Sequence, residues 1–400
     1  MKKVVLANGL KVIYQKRTSP SVVIQIMIKV GSNHEKDNEK GLAHFLEHIL
    51  FEGTAKRPSN LEITNEIEKI GGIFNAYTTN ERTCFYIKVL KKDFSKAIDV
   101  LADILQNSLF NEQAIDKEKK IILKEIDMVD EEPKLYQWVI LQKHLFKGHP
   151  TEYPTYGSKK IINNLNRKEL ISFYNRYYTA NNIVISIVGK IPFWKRQIIK
   201  NFKLESGKKS TLRKTTTLTD KNKIIKINKS NLTNSYLSMG FKTVDRNHPD
   251  SYVLEVINAI LGKGQSGKIF TEIRSKRGLA YDIGTQHVSE ASFGYFSVYA
   301  TIDKKNVQLV HKLIMEEIEK LKYTSDPELL EAQNFIEGDF TLELEESQKL
   351  ADHLLLWEQV KDARLINDFV KKIKEVNQKD INHVVDKYLK KGITLILQKK

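Results

Sequence analysis

Cysteine is almost absent: Cys84 is the only one in 400 residues. It excludes an internal disulfide and fits a reducing compartment. Long apolar runs are missing too. None approaches the roughly 20 residues that span a bilayer. The opening MKKVVLANGLKVIYQKR carries two lysines, but Asn8 and Gly9 cut it short of a signal peptide. It also lacks the Arg- and Ser-rich character of a mitochondrial transit peptide. It reads as strand, turn, strand, and a cytoplasmic location is the expectation. Acidic residues are outnumbered, 49 against 65 basic ones, for a formal charge of +16. Such a balance raises nucleic acid as a partner. The lysines, however, are spread over the whole chain, with no basic helix or aromatic–basic ladder. A lysine-rich surface without a nucleic-acid or membrane partner is the expectation.

The length suggests about two domains. SGKKSTLRKTTTLTDKNK (206–223) is rich in Lys, Thr and Ser and almost free of large apolar residues, the composition of an exposed connection. The expected division is a first domain over 1–205, a linker region over 206–230 and a second domain over 231–400. The halves share a rhythm. SVVIQIMIKVGS precedes a helical pattern in the first, as NSYLSMGFKTVD precedes SYVLEVINAILG in the second. Each then shows a Gly-marked strand region and long helical patterns, KKDFSKAIDVLADILQ and DKKNVQLVHKLIMEEIEKL. The pattern predicts an internal duplication. The fold class is α+β: two homologous domains, each a largely antiparallel sheet with helices packed on one face.

GLAHFLEHILFEGT (41–54) sets two histidines and a glutamate in an apolar run. On a helix, His44 and His48 lie one turn apart on one face, with Glu47 beside them. Leu42, Phe45, Leu46 and Ile49 take the core side, and Gly53 is a C-terminal stop. Two imidazoles beside a non-ligand carboxylate make a hydrolytic zinc site once a third ligand is supplied; the bland alternative is a pair of satisfied core histidines. The best region for that ligand is NEQAIDKEKKIILKEIDMVDEEP, a helix between Asn111 and Pro133. Glu118 and Glu125 lie two turns apart along its apolar stripe of Ile115, Ile122, Ile126 and Val129. Carboxylates there need a partner or a cation. Spacing alone does not choose between Glu118 and Glu125, or between either and His34 or His144.

GLAHFLEHILFEGT, EIEKIGGIFNAYTTNERTCFYIKV and DKEKKIILKEI together resemble the inverted zinc peptidases, the H-x-x-E-H family of pitrilysin, insulinase and mitochondrial processing peptidase. The resemblance continues through ELISFYNRYYTANNIVISIVG and returns at SGKIFTEIRSKRGLAYDI, so it covers most of the chain. KGHPTEYPTYGS resembles the family's loop after the ligand helix but lacks the usual Gly between its prolines. The resemblance implies a zinc-dependent endopeptidase with one Zn2+ per chain held by His44, His48 and Glu125. It implies Glu47 as general base and Glu118 as a helper carboxylate. It also implies Asn75, Ala76 and Tyr77 as the edge strand that receives substrate, and Arg274 and Tyr281 as contacts to the carbonyl at the scissile bond. Peptides or unfolded segments would be the substrates, inside an enclosed chamber. Some members split the zinc and Arg/Tyr motifs between two subunits; both occur here in one chain, which implies a homodimer. Two other readings compete. A small lyase class completes an H-x-x-E-H site with cysteine, but Cys84 sits in a strand pattern where a buried thiol is ordinary, and the chain is far longer. A non-catalytic structural subunit is the other, and the intact His44/Glu47/His48/Glu125 set argues against it.

Overall fold

The computed structural model describes residues 1–215, 218, 221–230 and 232–400. Contacts divide the chain into two compact units. The first holds 1–127, 153–212 and 343–366; the second holds 128–152, 213–342 and 367–400.

The first unit is built on six strands: β1 (Lys2–Val5), β2 (Lys11–Gln15), β3 (Ser21–Ile28), β4 (Ile73–Thr78), β5 (Thr83–Leu90) and β6 (Ile183–Val188), in the order β1-β2-β6-β3-β5-β4. All pairs are antiparallel except β2 with β6. The second sheet holds β7 (Lys223–Lys229), β8 (Ser235–Thr243), β9 (Ala280–Ser289), β10 (Gly294–Ile302) and β11 (Ile393–Lys399), in the order β7-β11-β8-β10-β9. Its one parallel pair is β7 with β11. Strand for strand this repeats β2-β6-β3-β5-β4, the topology of a duplicated unit. Both sheets therefore end in the hairpin's outer strand, β4 or β9, which pairs on one side only.

Alternation decides what each sheet face meets. Ile24, Ile26 and Ile28 of β3 join Phe85 and Ile87 of β5 in the main core. Helices α1 (Leu42–Ile49) and α2 (Phe94–Gln106) fill that core with Phe45, Leu46, Ile98 and Leu101. The opposite face of β3 is also covered. A helix from late in the chain, Ser347–Val360, packs on β3 and β6, and Gln25 Nε2 donates to Asp352 there at 2.6 Å. Burial on both faces explains the near-continuous apolar runs SVVIQIMI and IVISIV. The second unit borrows in return. The helix Pro133–Leu145 packs on β8 and β11, with Leu141 against Gly240, where any Cβ would crowd its methyl groups.

The expected linker over 206–230 is structured at both ends. Asn182 holds the backbone at Lys208 and Ser210, and 223–229 forms β7. Lysines mask that strand's alternation of half-buried Ile225 and Ile227. Thr216, Thr217, Thr219 and Asp220 of the same stretch lie outside the described residues. Among the described residues, no helix is long and apolar enough to cross a membrane.

Candidate metal centre and peptide edge

The helix α1 is only eight residues long, and its start is fixed from outside. Gly41 adopts φ +102°, and a Cβ there would meet the Tyr156 carbonyl at 2.7 Å. The buried carboxylate of Glu35 accepts from Gly41 N at 2.9 Å and Ala43 N at 2.8 Å. Those are among the donors that a helix leaves unsatisfied in its first turn. Glu39, four residues beyond Glu35, accepts from Arg176 at 2.7 Å. Sequence reading missed Glu35; the usable signal was an acidic residue just ahead of a helix whose Gly start offers no side-chain cap.

The helix α1 presents His44 and His48 to α3 (Glu112–Glu131). Single ligand atoms of His44, His48 and Glu125 all lie within 4.8 Å of one another. Glu125 Oε2 is 3.9 Å from His44 Nε2 and 3.8 Å from His48 Nε2. Those separations exceed a hydrogen bond and suit donors arranged around one small cation. Glu118 is placed differently. It is buried, and its Oε2 accepts from His48 Nδ1 at 2.9 Å, which turns Nε2 toward Glu125. A carboxylate behind a ligating imidazole fixes its tautomer and ring orientation. Spacing left Glu118 and Glu125 undecided; the geometry separates them by which nitrogen each one meets.

Burial, and secondarily the charge of His48, drives the His44 imidazole down to about 3, so it is neutral and free to ligate. Burial also opposes charge on His48, but the Glu118 hydrogen bond and the Glu125 and Glu47 carboxylates outweigh it and raise its pKa. Burial pushes the Glu47 carboxyl up, opposed by a hydrogen bond that Thr78 Oγ1 donates to its Oε2 at 2.5 Å. Thr78 ends β4, so Glu47 is tied directly to the edge strand.

On that edge, Asn75 is exposed and Ala76 and Tyr77 are half-buried. The Asn75 side-chain oxygen accepts from Ala76 N at 2.8 Å, which satisfies a backbone donor at this position. The Tyr77 hydroxyl donates to Asp352. His34 Nδ1 accepts from Gly31 N at 3.1 Å, and burial brings its pKa to about 4. His144 belongs to the second unit. Cys84 is buried, with its thiol pushed up to about 12 first by burial, the behaviour of a core residue. Arg274 and Tyr281 also belong to the second unit. Arg274 lies in a π-helical turn over 270–275, stacked 4.9 Å from the Phe270 ring centroid. Tyr281 lies on β9, 59% exposed, and its hydroxyl donates to Asp303 at 3.3 Å.

Residues 11–159 match the family model "Insulinase (Peptidase family M16)", and residues 164–335 match "Peptidase M16 inactive domain". An uncharacterized zinc protease of Rickettsia felis is 32% identical over 84% of this chain and 82% of its own. One from Bacillus subtilis is 30% identical over 96% of this chain and 94% of its own. A protease structure from Helicobacter pylori shares the fold with a TM-score of 0.94 over 99% of both chains, at 22% identity. Relatives named as zinc proteases support zinc as the metal for a centre whose candidate donors are two imidazoles and a carboxylate. With both family domains matched in order along one chain, the protein belongs to the insulinase family of peptidases, family M16.

Proposed function

We propose that the chain is a zinc-dependent endopeptidase, with one zinc ion held by His44, His48 and Glu125 and with Glu47 as general base. The observation that carries this reading is the convergence of three donor side chains beside a carboxylate that Thr78 joins to an open sheet edge. Three protein ligands leave one position for chemistry. Zinc bound there supplies Lewis acidity, polarising a peptide carbonyl and lowering the pKa of water to about 7. Glu47 takes the proton of the attacking water and delivers it to the leaving amine. An extended peptide adds to β4 beside Asn75, Ala76 and Tyr77, so main-chain bonds provide affinity with little demand on sequence. Peptides or unfolded segments fit that mode of binding, and an enclosed chamber in the cytoplasm would restrict access to them.

The test pairs zinc analysis of purified protein with cleavage of a peptide library. Cleavage is expected to stop on chelation and return with one equivalent of zinc per chain. Hydrolysis indifferent to metal would sink the reading, and zinc-loaded protein inert to every peptide would favour a structural subunit.

Arg274 and Tyr281 are proposed to donate to the substrate backbone or the developing oxyanion, within a homodimer in which each copy serves the other's zinc site. A Glu47→Gln chain retains the Arg/Tyr pair, and a Tyr281→Phe chain retains the zinc site. Mixing the two inactive proteins should restore one working site in each mixed dimer. A mixture that stays inactive, or an active wild-type monomer in sedimentation, refutes the shared arrangement and leaves the zinc chemistry standing.

A further inference from the structure

The first unit carries a basic pocket that peptide hydrolysis does not use. Lys11 opens β2, Lys29 directly follows β3, and Lys209 lies where the chain leaves this unit. These three line a cavity of about 270 Å3 together with Asn181, Asn182 and Ser210. The nearby carboxylate is already engaged: buried Glu358 accepts from Lys3 at 2.6 Å and Lys11 at 2.9 Å. Lys29 is half-buried, and its amine has no hydrogen-bond or ion-pair partner among the described residues. Burial first, and then the charge of Lys11, lowers its pKa to about 8, with Glu358 opposing the shift in part. A half-buried ammonium whose nearest carboxylate, Glu358, is held by Lys3 and Lys11 is only partly compensated. Lys3 and Lys209 add further positive charge to its surroundings.

A lysine-rich surface would gather lysines by chance, but this wall is held in place. Asn8 Nδ2 donates to Leu204 O at 2.9 Å, and Ser206 Oγ donates to Asn8 O at 2.5 Å. Asn181 accepts from Gly207 N at 2.9 Å. Asn182 donates to Lys208 O at 2.9 Å and accepts from Ser210 N at 2.8 Å. The backbone is thus fixed on both sides of Lys209, in a stretch whose composition reads as a free linker. The cations of the lining are lysines, which bind phosphate as point charges. Several lysines along one small cavity suit a compact, multiply charged oxyanion.

We propose that this pocket binds a phosphate-class oxyanion, free in solution, through Lys11, Lys29 and Lys209. Its occupation would give Lys29 a hydrogen-bonded counter-charge of its own and tie down the point where the chain leaves the first unit. Titration of inorganic phosphate into the zinc-loaded full chain, followed by calorimetry, should show saturable binding. Lys29→Met should weaken it by about tenfold or more, the loss of a charge-assisted contact. Lys209→Glu, at an exposed position where folding is not at stake, should do at least as much. Lys371→Glu, an equal charge change at an exposed position of the helix Phe369–Lys374, should stay within about twofold if the effect is local. Binding that does not saturate, or that is unchanged in both Lys29→Met and Lys209→Glu, overturns the proposal. So does binding lost only in His48→Ala, which would place the phosphate at the metal ligands. Cosedimentation with phosphatidic acid vesicles in the absence of phosphate binding would identify a lipid headgroup instead and overturn the free-solute assignment.

Discussion

Replacing Glu47 with glutamine is expected to lower peptide hydrolysis by about two to four orders of magnitude, the usual cost of removing a positioned general base. Zinc content and peptide affinity should remain close to wild type. Glutamine keeps the length and planarity of the side chain, and its oxygen can still accept from Thr78 Oγ1, which meets Glu47 Oε2 at 2.5 Å. What it loses is the ability to take a proton. The donors proposed for the metal are His44, His48 and Glu125, so a glutamine at 47 leaves them intact. Single-turnover hydrolysis measured beside zinc analysis of the same sample separates the two roles. Near-normal turnover would assign the proton transfer to another group. Loss of zinc together with turnover would make Glu47 a ligand and not a base.

Much of this centre was legible because helical spacing carries it. His44, Glu47 and His48 lie within a turn, so their shared face follows from 3.6 residues per turn alone. The duplicated topology was legible for a similar reason: two strand–helix–hairpin rhythms give the same strand order twice. Periodicity says which side of an element is apolar but not whose core receives it. That is why the exchange of helices 133–145 and 347–360 was hidden, and with it the Asp352 contact beneath Tyr77. The Glu35 clamp was hidden because it joins a loop side chain to backbone N–H groups, a contact without period. Lysines concealed β7 by interrupting an otherwise regular alternation.

The distinction between Glu118 and Glu125 gives the second large effect. His48→Ala removes a donor and is expected to abolish stoichiometric zinc and hydrolysis together. Glu125→Gln replaces the anionic donor at 3.8–3.9 Å from both imidazoles with a neutral amide and should approach the same loss. Glu118→Gln keeps all three donors and perturbs only the group behind His48 Nδ1, so metal affinity should fall by about 10- to 100-fold. Competition with a chromophoric chelator reads those affinities directly. Stability offers an independent check, because a ligand that binds only the folded chain stabilises it by RT ln(1 + [L]/Kd). Zinc should therefore raise the melting temperature of wild type most, of Glu118→Gln less, and of His48→Ala and Glu125→Gln least. A Glu118→Gln protein that loses zinc as completely as Glu125→Gln would make Glu118 a direct ligand. A His48→Ala protein with full zinc occupancy would move the metal away from α1 altogether.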